Sequence, residues 1–600
     1  MIVLLGLSAC FLLWKLGSPA LYDLDEGGYA EIAREMLVLH DWITPHLNFV
    51  RLLDKPPMLY WLTALSFQLF GVSEFAARLP VVLSTLGCIM LCYLLGSRLF
   101  GGLAGLLAAL IFATCTGTMV FNAARQLQPD MPLTFFLTAA LAAFLLGRFA
   151  QEKPQRYYLT GYAALALAVM TKGLLGLLFP CLALVGYLCL TREWGLVKQL
   201  QLCRGTALFC LLTLPWHVVA ELQSPGFLKF YLLDVHLLRF FDAGSLALNM
   251  TALPLLAFWG ITGLFLYPWV VFLPLAFLQA LPGRRQEREE ADQAVLWLWL
   301  WVGSVLLFFS VSSFRLYIYG LPAVPALAIL GGRFWAKVFL ASAQVPLSAL
   351  RPEQDRPYRR AILAATTLLV LVAGGLFLAF LMPAPWQPGV GRGFYGMVDT
   401  NVRGYEHGVV SDAKVPSLPS WEDLSGLGIL GGTILTIGSL LAFLAAAFNR
   451  LPWAFVFLIL TMLPMRYCSQ VGMELFAPSI STKALATTLV ATLQPGETIV
   501  KDGRYEDIGA VSFYTAQKIY LVHGRSQDLA FGSRYPDAAG TFLEEAEFLQ
   551  LWHSEKRVYL LTDYPSTHRP HREAFYGKLQ LYHLAQSGSM HLFTNHRREG

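Results

Sequence analysis

LYDLDEGGYAEIAREM at residues 21–36 and RLLDKPPMLYW at residues 51–61 follow the apolar run MIVLLGLSACFLLWKLGSPA at residues 1–20. The contrast between them decides how the chain is read. A charged side chain isolated in hydrocarbon costs on the order of 3 kcal/mol or more, so neither polar block faces lipid. The loop that carries Asp25, Glu26, Asp54 and Lys55 therefore lies at a membrane surface, and it is the first place to look for chemistry.

The rest of the chain supports a membrane setting. Of its 600 residues 56% are hydrophobic and 14% charged, and the mean hydropathy is +0.55, too apolar for an ordinary soluble protein. The net charge of +5 is spread thinly, without the basic tracts of a nucleic-acid groove, so nucleic acid is not expected as a partner. Eight of the nine cysteines fall inside apolar runs and read as small core hydrophobes, with Cys468 apart from them. The first twenty residues lack a basic start and read as a retained span rather than a cleaved signal peptide.

Apolar stretches able to cross a bilayer fall near 2–20, 78–97, 102–121, 131–147, 158–171, 173–191, 203–221, 250–276, 294–311, 316–332, 361–382, 425–447 and 451–464, about thirteen in all. Basic residues sit in alternate loops: Arg98; Arg148, Lys153 and Arg156; Arg192, Lys198 and Arg204; Arg284, Arg285 and Arg288; Arg333, Lys337 and Arg351 to Arg360; and Arg450. Those loops are expected in the cytoplasm. The loops 21–77, 122–130, 222–249 and 383–424 and the tail from 465 are then outside, together with the turns at Lys172 and Arg315. The tail becomes polar, and strand-like ETIVKD, VSFYTAQKIYLVHG and KRVYLLTDY alternate with a helical TFLEEAEFLQLWHS, which predicts a small α/β domain over 465–600. GRYEDIG (503–509) is read as lacking the strand, turn and helix setting of a nucleotide fingerprint, and no nucleotide cofactor is expected.

The outer polar residues have ordinary explanations as well as chemical ones. Asp23 and Glu26 have the spacing of a capping box before the amphipathic YAEIAREMLVL, and Asp54 with the proline pair could start a second interfacial helix. Capping leaves Asp25 unexplained, and it does not require Lys55. Acids and a lysine held together at an interface suit a substrate bearing phosphate, with a carboxylate as base or metal ligand. Arg125, Gln128 and Asp130 around Pro129, Lys172 in MTKGLLG, His236 and Arg239 in FYLLDVHLLRF, and Arg315, Tyr317 and Tyr319 in SSFRLYIYGLP gather on the same side. Their convergence predicts an active cavity.

Four ordered motifs, DLDEGGYAEIAREM, DKPPMLYWLTALSFQLFGVSEFAARLP, ARQLQPDMPLTFF and LAVMTKGLLGLLFP, resemble the polyprenyl-phosphate-dependent glycosyltransferases of the protein O-mannosyltransferase superfamily, with a GT-C fold. The likeness covers nearly the whole chain and is greatest to the bacterial branch that adds 4-amino-4-deoxyarabinose to lipid A. It implies a polytopic α-helical protein of the bacterial inner membrane with about thirteen spans, interfacial helices in the first outer loop, and a C-terminal α/β domain in the periplasm. It implies transfer of a glycosyl group from a polyprenyl monophosphate to a glycolipid, polysaccharide or protein acceptor. By the resemblance, Asp25 is the essential carboxylate with Glu26 its neighbour, and Asp130 is the second-loop acid. Lys55, Lys172, Arg239, Arg315, Tyr317, Tyr319, Arg125 and Tyr29 line the phosphate and substrate cavity, while Asp54 and His236 are ligands of a divalent cation such as Zn, Mg or Mn. The family often has an arginine where this chain has Gly28. A lipid-linked sugar transporter and a polysaccharide–lipid ligase are the alternative readings.

Overall fold

In the computed structural model the described residues are 1–120, 123–241, 253–278, 290–343, 356–381, 419, 421–525, 528–564 and 573–597. Among them eight helices are long and apolar enough to cross a membrane: Glu74–Phe100, Asp130–Phe149, Leu202–Gln223, Glu290–Val311, Tyr317–Ser342, Tyr358–Leu381, Asp423–Ala447 and Leu451–Ile480. The pair Leu255–Phe265 and Trp269–Leu278, bent by 99°, makes up to nine. By length and composition the described residues thus show eight to nine of the expected spans, since a crossing takes roughly 20 apolar residues. Ile2–Leu13, Gly102–Thr114 and Leu175–Thr191 are shorter apolar helices, and the apolar run from 102 breaks where Cys115 turns to extended backbone. Arg284, Arg285, Arg288, Arg351 and most of the expected outer loop 383–424 lie outside the described residues.

The helix Glu74–Phe100 illustrates how the sequence draws these boundaries. Ser73 accepts the Ala76 amide at its start, Glu74 occupies the first turn and Arg98 the last, each suited to the helix dipole. Gly101, at φ +93°, then reverses the chain into Gly102–Thr114. The two helices pack closely, since a Cβ on Gly105 would stand 2.0 Å from the Ser97 hydroxyl.

The first outer loop holds the two expected surface helices, Gly28–Leu39 and Met58–Phe70, with a short hairpin of β1 (His46–Leu47) and β2 (Val50–Arg51) between them. The expected caps are not formed. Asp23–Gly27 is a π-helical turn whose acids bond elsewhere, and the helix at Met58 is preceded by Pro57 without a side-chain cap. The helix from Leu451 runs unbroken to Ile480, past the expected boundary at 464.

The C-terminal domain carries a six-stranded sheet of β3 (Thr498–Asp502), β4 (Tyr520–Val522), β5 (Phe542–Leu543), β6 (Val558–Thr562), β7 (Tyr582–Ser587) and β8 (Met590–Thr594), in the order β5-β4-β3-β6-β8-β7. Strands β3 to β6 are parallel and β8 runs antiparallel to both β6 and β7. The VSFYT part of the expected second strand is instead helical, within Gly509–Thr515, because Val511 and Ser512 both face inward as helix residues. GRYEDIG also differs from its reading: it follows β3 and leads through the turn Tyr505–Ile508 into that helix.

This domain shares a core with the first outer loop. Ile32, Met36, Leu47, Val50, Leu52 and Tyr60 form one buried cluster with residues that include Leu485, Ile499, Tyr505, Val511, Leu521 and Leu561. Asn48 exchanges two hydrogen bonds with the Ile519 backbone, at 2.6 and 2.8 Å. Burial of this kind, at roughly 25 cal/mol per Å² of apolar surface, makes the domain part of the structure of the loop.

Candidate active site

Asp25 lies in the π-helical turn, and Thr482, Ala510, Arg78 and Leu127 hold that turn in place. Asp23 accepts the Thr482 amide (2.8 Å), the Thr482 hydroxyl (2.7 Å) and the Ala510 amide (2.9 Å). Glu26, fully buried, accepts Arg78 Nε at 2.8 Å and Arg78 Nη2 at 2.6 Å, together with the Leu127 amide at 2.9 Å. Arg78 also donates to the carbonyls of Leu16, Pro19 and Ala20, which locks the end of the first segment to the turn. Glu26 is thus committed to Arg78 and supports Asp25 from behind.

The Asp25 carboxylate itself has a single side-chain donor among the described residues, Gln128 Nε2 at 2.7 Å from Oδ2. Burial raises its carboxyl to about 6; Lys55 opposes the rise and Asp130 adds to it. Asp130 opens the helix Asp130–Phe149 and receives Lys172 Nζ at 2.5 Å, while the same ammonium lies 4.6 Å from the Tyr319 ring centroid. Tyr317 stands in the field of both Asp25 and Asp130.

Lys55 forms an ion pair with Asp54 and stands 5.4 Å from the Tyr29 ring centroid. Its burial, which alone would lower it, is outweighed by Asp54, with Tyr29, Tyr60 and Asp528 adding to a raised pKa. Asp54 Oδ1 and the hydroxyls of Tyr60 and Tyr231 are buried and have no hydrogen-bond partner among the described residues. Buried polar atoms are normally paired, so an unpaired group here fits a bound ligand.

The remaining expected residues are placed differently. His236 lies in the π-helix Phe230–Leu238; its Nδ1 donates to the Tyr231 carbonyl at 2.7 Å, and its Nε2 accepts the Leu174 amide at 3.2 Å. The open Oδ1 of Asp54 suits a cation, whereas His236 could join it only by giving up the Leu174 amide. Among the described residues no three His, Cys, Asp or Glu side chains form a metal cluster. Arg315 donates to the carbonyls of Leu253, Ser310 and Ser312 and closes a backbone turn. Arg125 reaches Gln470 at 2.8 Å and the Trp14 carbonyl at 2.9 Å, toward the helix Leu451–Ile480. The side chain of Arg239 lies outside the described residues.

Sequence reasoning overlooked Arg78, which has a legible signal as a lone cation in the first turns of an apolar helix. Gln128 was visible beside Pro129, but its hydrogen bond to Asp25 was not. Asp528 carries no sequence signal at all.

The family described as dolichyl-phosphate-mannose-protein mannosyltransferase matches residues 54–218, the part that supplies Asp54, Lys55, Asp130 and Lys172. The undecaprenyl phosphate-alpha-4-amino-4-deoxy-L-arabinose arabinosyl transferase 2 of Pseudomonas fluorescens is 33% identical over 339 residues, which are 55% of this chain and 58% of that protein. The transferase of this kind from Pectobacterium carotovorum is 29% identical over 570 residues, 92% and 90% of the two chains. The match to the first of these relatives thus spans under two thirds of its length. The crystal structure of ArnT from Cupriavidus metallidurans bound to undecaprenyl phosphate superposes with a TM-score of 0.77 at 22% identity, over 99% of this chain and 97% of the other.

The chain is a polytopic membrane protein of the GT-C fold. Within that class it is similar to the undecaprenyl phosphate-aminoarabinose arabinosyl transferases.

Proposed function

We propose that the protein transfers a glycosyl group from a polyprenyl, specifically undecaprenyl, monophosphate to an acceptor at the periplasmic face of the membrane, a lipid A-like glycolipid. The observation that carries this reading is the half-buried meeting of Asp25, held by Gln128, with Lys55 and with the Lys172–Asp130 pair. An acceptor hydroxyl attacks C1 of the sugar, the bond from C1 to the phosphate oxygen breaks, and polyprenyl phosphate leaves with the bonding pair. Lys55 and Lys172 balance the charge that develops on the phosphate. Asp25 orients the acceptor and takes its proton, a role suited to a carboxyl raised toward neutral pH.

Asp54, with His236 released from the Leu174 amide, would hold a divalent cation, which supplies further positive charge toward the phosphate. On this reading the three shorter apolar helices and Pro154–Lys172 also cross the membrane and, with the bent pair, bring the spans to about thirteen. A test is to supply purified protein with radiolabelled undecaprenyl phosphate-linked 4-amino-4-deoxy-L-arabinose and lipid A. Label appearing on lipid A is expected; label that stays on the polyprenyl phosphate, or merely changes leaflet in proteoliposomes, contradicts transfer.

A further inference from the structure

The parallel strands of the C-terminal domain are arranged so that β3, the first in the chain, has β4 on one side and β6 on the other. In sheets wound this way, ligands bind outside the carboxyl ends of the strands where the winding reverses. Here those ends carry a polar network. Asp502 closes β3 and bonds His523 Nδ1 at 2.8 Å, just beyond β4, while Tyr576 donates to Asp502 and meets the Thr562 hydroxyl, at the end of β6, at 2.6 Å. The network fixes the starting points of the chain segments that leave β3 and β4.

These two segments meet farther on, where the Asp528 amide donates to Glu506 Oε1 at 3.2 Å. Glu506 is 7% exposed, and its Oε2 is buried without a hydrogen-bond partner among the described residues. Arg504 Nε, 3.9 Å from it, lies beyond hydrogen-bond reach. From Asp528 the chain continues as the turn Leu529–Gly532, which packs on the residues just before Asp54. Leu529 shares a cluster with Leu52 and Tyr60, and Phe531 shares one with Leu53 and Tyr231. Phe531 also stacks on Phe230 at 4.3 Å, and a Cβ on Gly532 would stand 2.0 Å from the Arg51 carbonyl oxygen. Asp528 accordingly acts together with Asp54 on Lys55, Tyr29 and Tyr60. Burial, reinforced by Asp528, raises the Glu506 carboxyl above the usual carboxylate range.

We propose that the C-terminal domain completes the active site, with Glu506 and Asp528 forming a carboxyl pair that receives a hydrogen-bond-donating group of a bound substrate, a hydroxyl or an ammonium, beside Lys55. This rests on the transferase reading above. An acidic pair repels the donor phosphate, so it contacts either the sugar or the acceptor headgroup.

The test uses the full chain and the variants Glu506→Gln and Asp528→Asn, with undecaprenyl phosphate-linked 4-amino-4-deoxy-L-arabinose as donor and lipid A as acceptor. KM is measured for each substrate with the other saturating. Loss of a hydrogen bond to a charged group is expected to raise one of the two KM values about tenfold, with kcat kept within about threefold. Asp528→Glu is expected to recover most of the loss, which a merely structural role would not require. A rise in donor KM assigns the contact to the sugar, and a rise in acceptor KM assigns it to the headgroup; either supports the pair. Both KM values within about twofold of wild type in either folded variant overturn it while leaving the transferase reading intact. A wild-type protein that transfers nothing overturns that reading, and the pair with it.

Discussion

Asp23 Oδ1 accepts the backbone amide of Ala510 at 2.9 Å across 487 positions of sequence, two residues from Asp25. The C-terminal domain therefore holds the turn that presents the Asp25 carboxylate. Gly27 lies in the same seam, where a Cβ would stand 2.5 Å from the Ala510 nitrogen, whereas a Cβ on Gly28 would have nothing within 4 Å. Gly27→Ala is expected to destabilise the protein by roughly 1–3 kcal/mol through overpacking and to depress transfer, while Gly28→Ala leaves both near wild type. Thermal unfolding and a transfer assay on the two variants check this; similar effects from both would contradict it.

Asp25→Asn is expected to cut kcat by roughly 10²–10⁴-fold, the range of a lost acid–base group. Its carboxyl, raised to about 6 by burial, is ionised above that pH, so wild-type kcat should fall as pH drops through 6. The sign for stability is the reverse. The folded state binds this proton more tightly than the unfolded state, so stability from this group is lost as pH rises from about 4 to about 6. At pH 7.5 the inactive Asp25→Asn protein should then melt at a higher temperature than wild type, and the difference should shrink toward pH 4. A variant that melts lower at pH 7.5 would show that the anion is stabilised in the fold.

Glu26 and Arg78 form a buried ion pair with two hydrogen bonds, at 2.6 and 2.8 Å. Removing one partner strands the other, at a cost of about 3–5 kcal/mol. Arg78→Ala and Glu26→Ala should therefore both lower Tm and detergent stability, and the double variant should lose much less than the sum. Additive losses in that cycle would mean that the two residues act separately.

Much of the site could be read from sequence because charge is rare in an apolar chain. Asp25, Lys55, Asp130 and Lys172 stood out for that reason, and the structure brings them to one place. At Arg315 and Arg125 the structure shows donors to backbone carbonyls, and sequence does not tell such a cation from one that faces a ligand. Glu26 is adjacent to Asp25 yet turns to Arg78, because successive residues of a helical turn point in different directions, which adjacency in sequence does not show. The π-helical turn at Asp23–Gly27 and the span count depend on tertiary packing and on where helices break, which local hydropathy does not encode. In the C-terminal domain VSFYT looked like a strand because its apolar and β-branched residues suit either state, and the short helix Gly509–Thr515 is selected by its contacts with Asp23 and Gly27.

The central claim is that a polyprenyl phosphate ends its path beside Lys55. Cryo-electron microscopy of the purified protein with added undecaprenyl phosphate tests it most directly. Phosphate density is expected within about 3.2 Å of Lys55 Nζ, with the lipid tail leaving between helices toward the bilayer. Phosphate density at the cytoplasmic side, away from Lys55, Asp25 and Lys172, would contradict it.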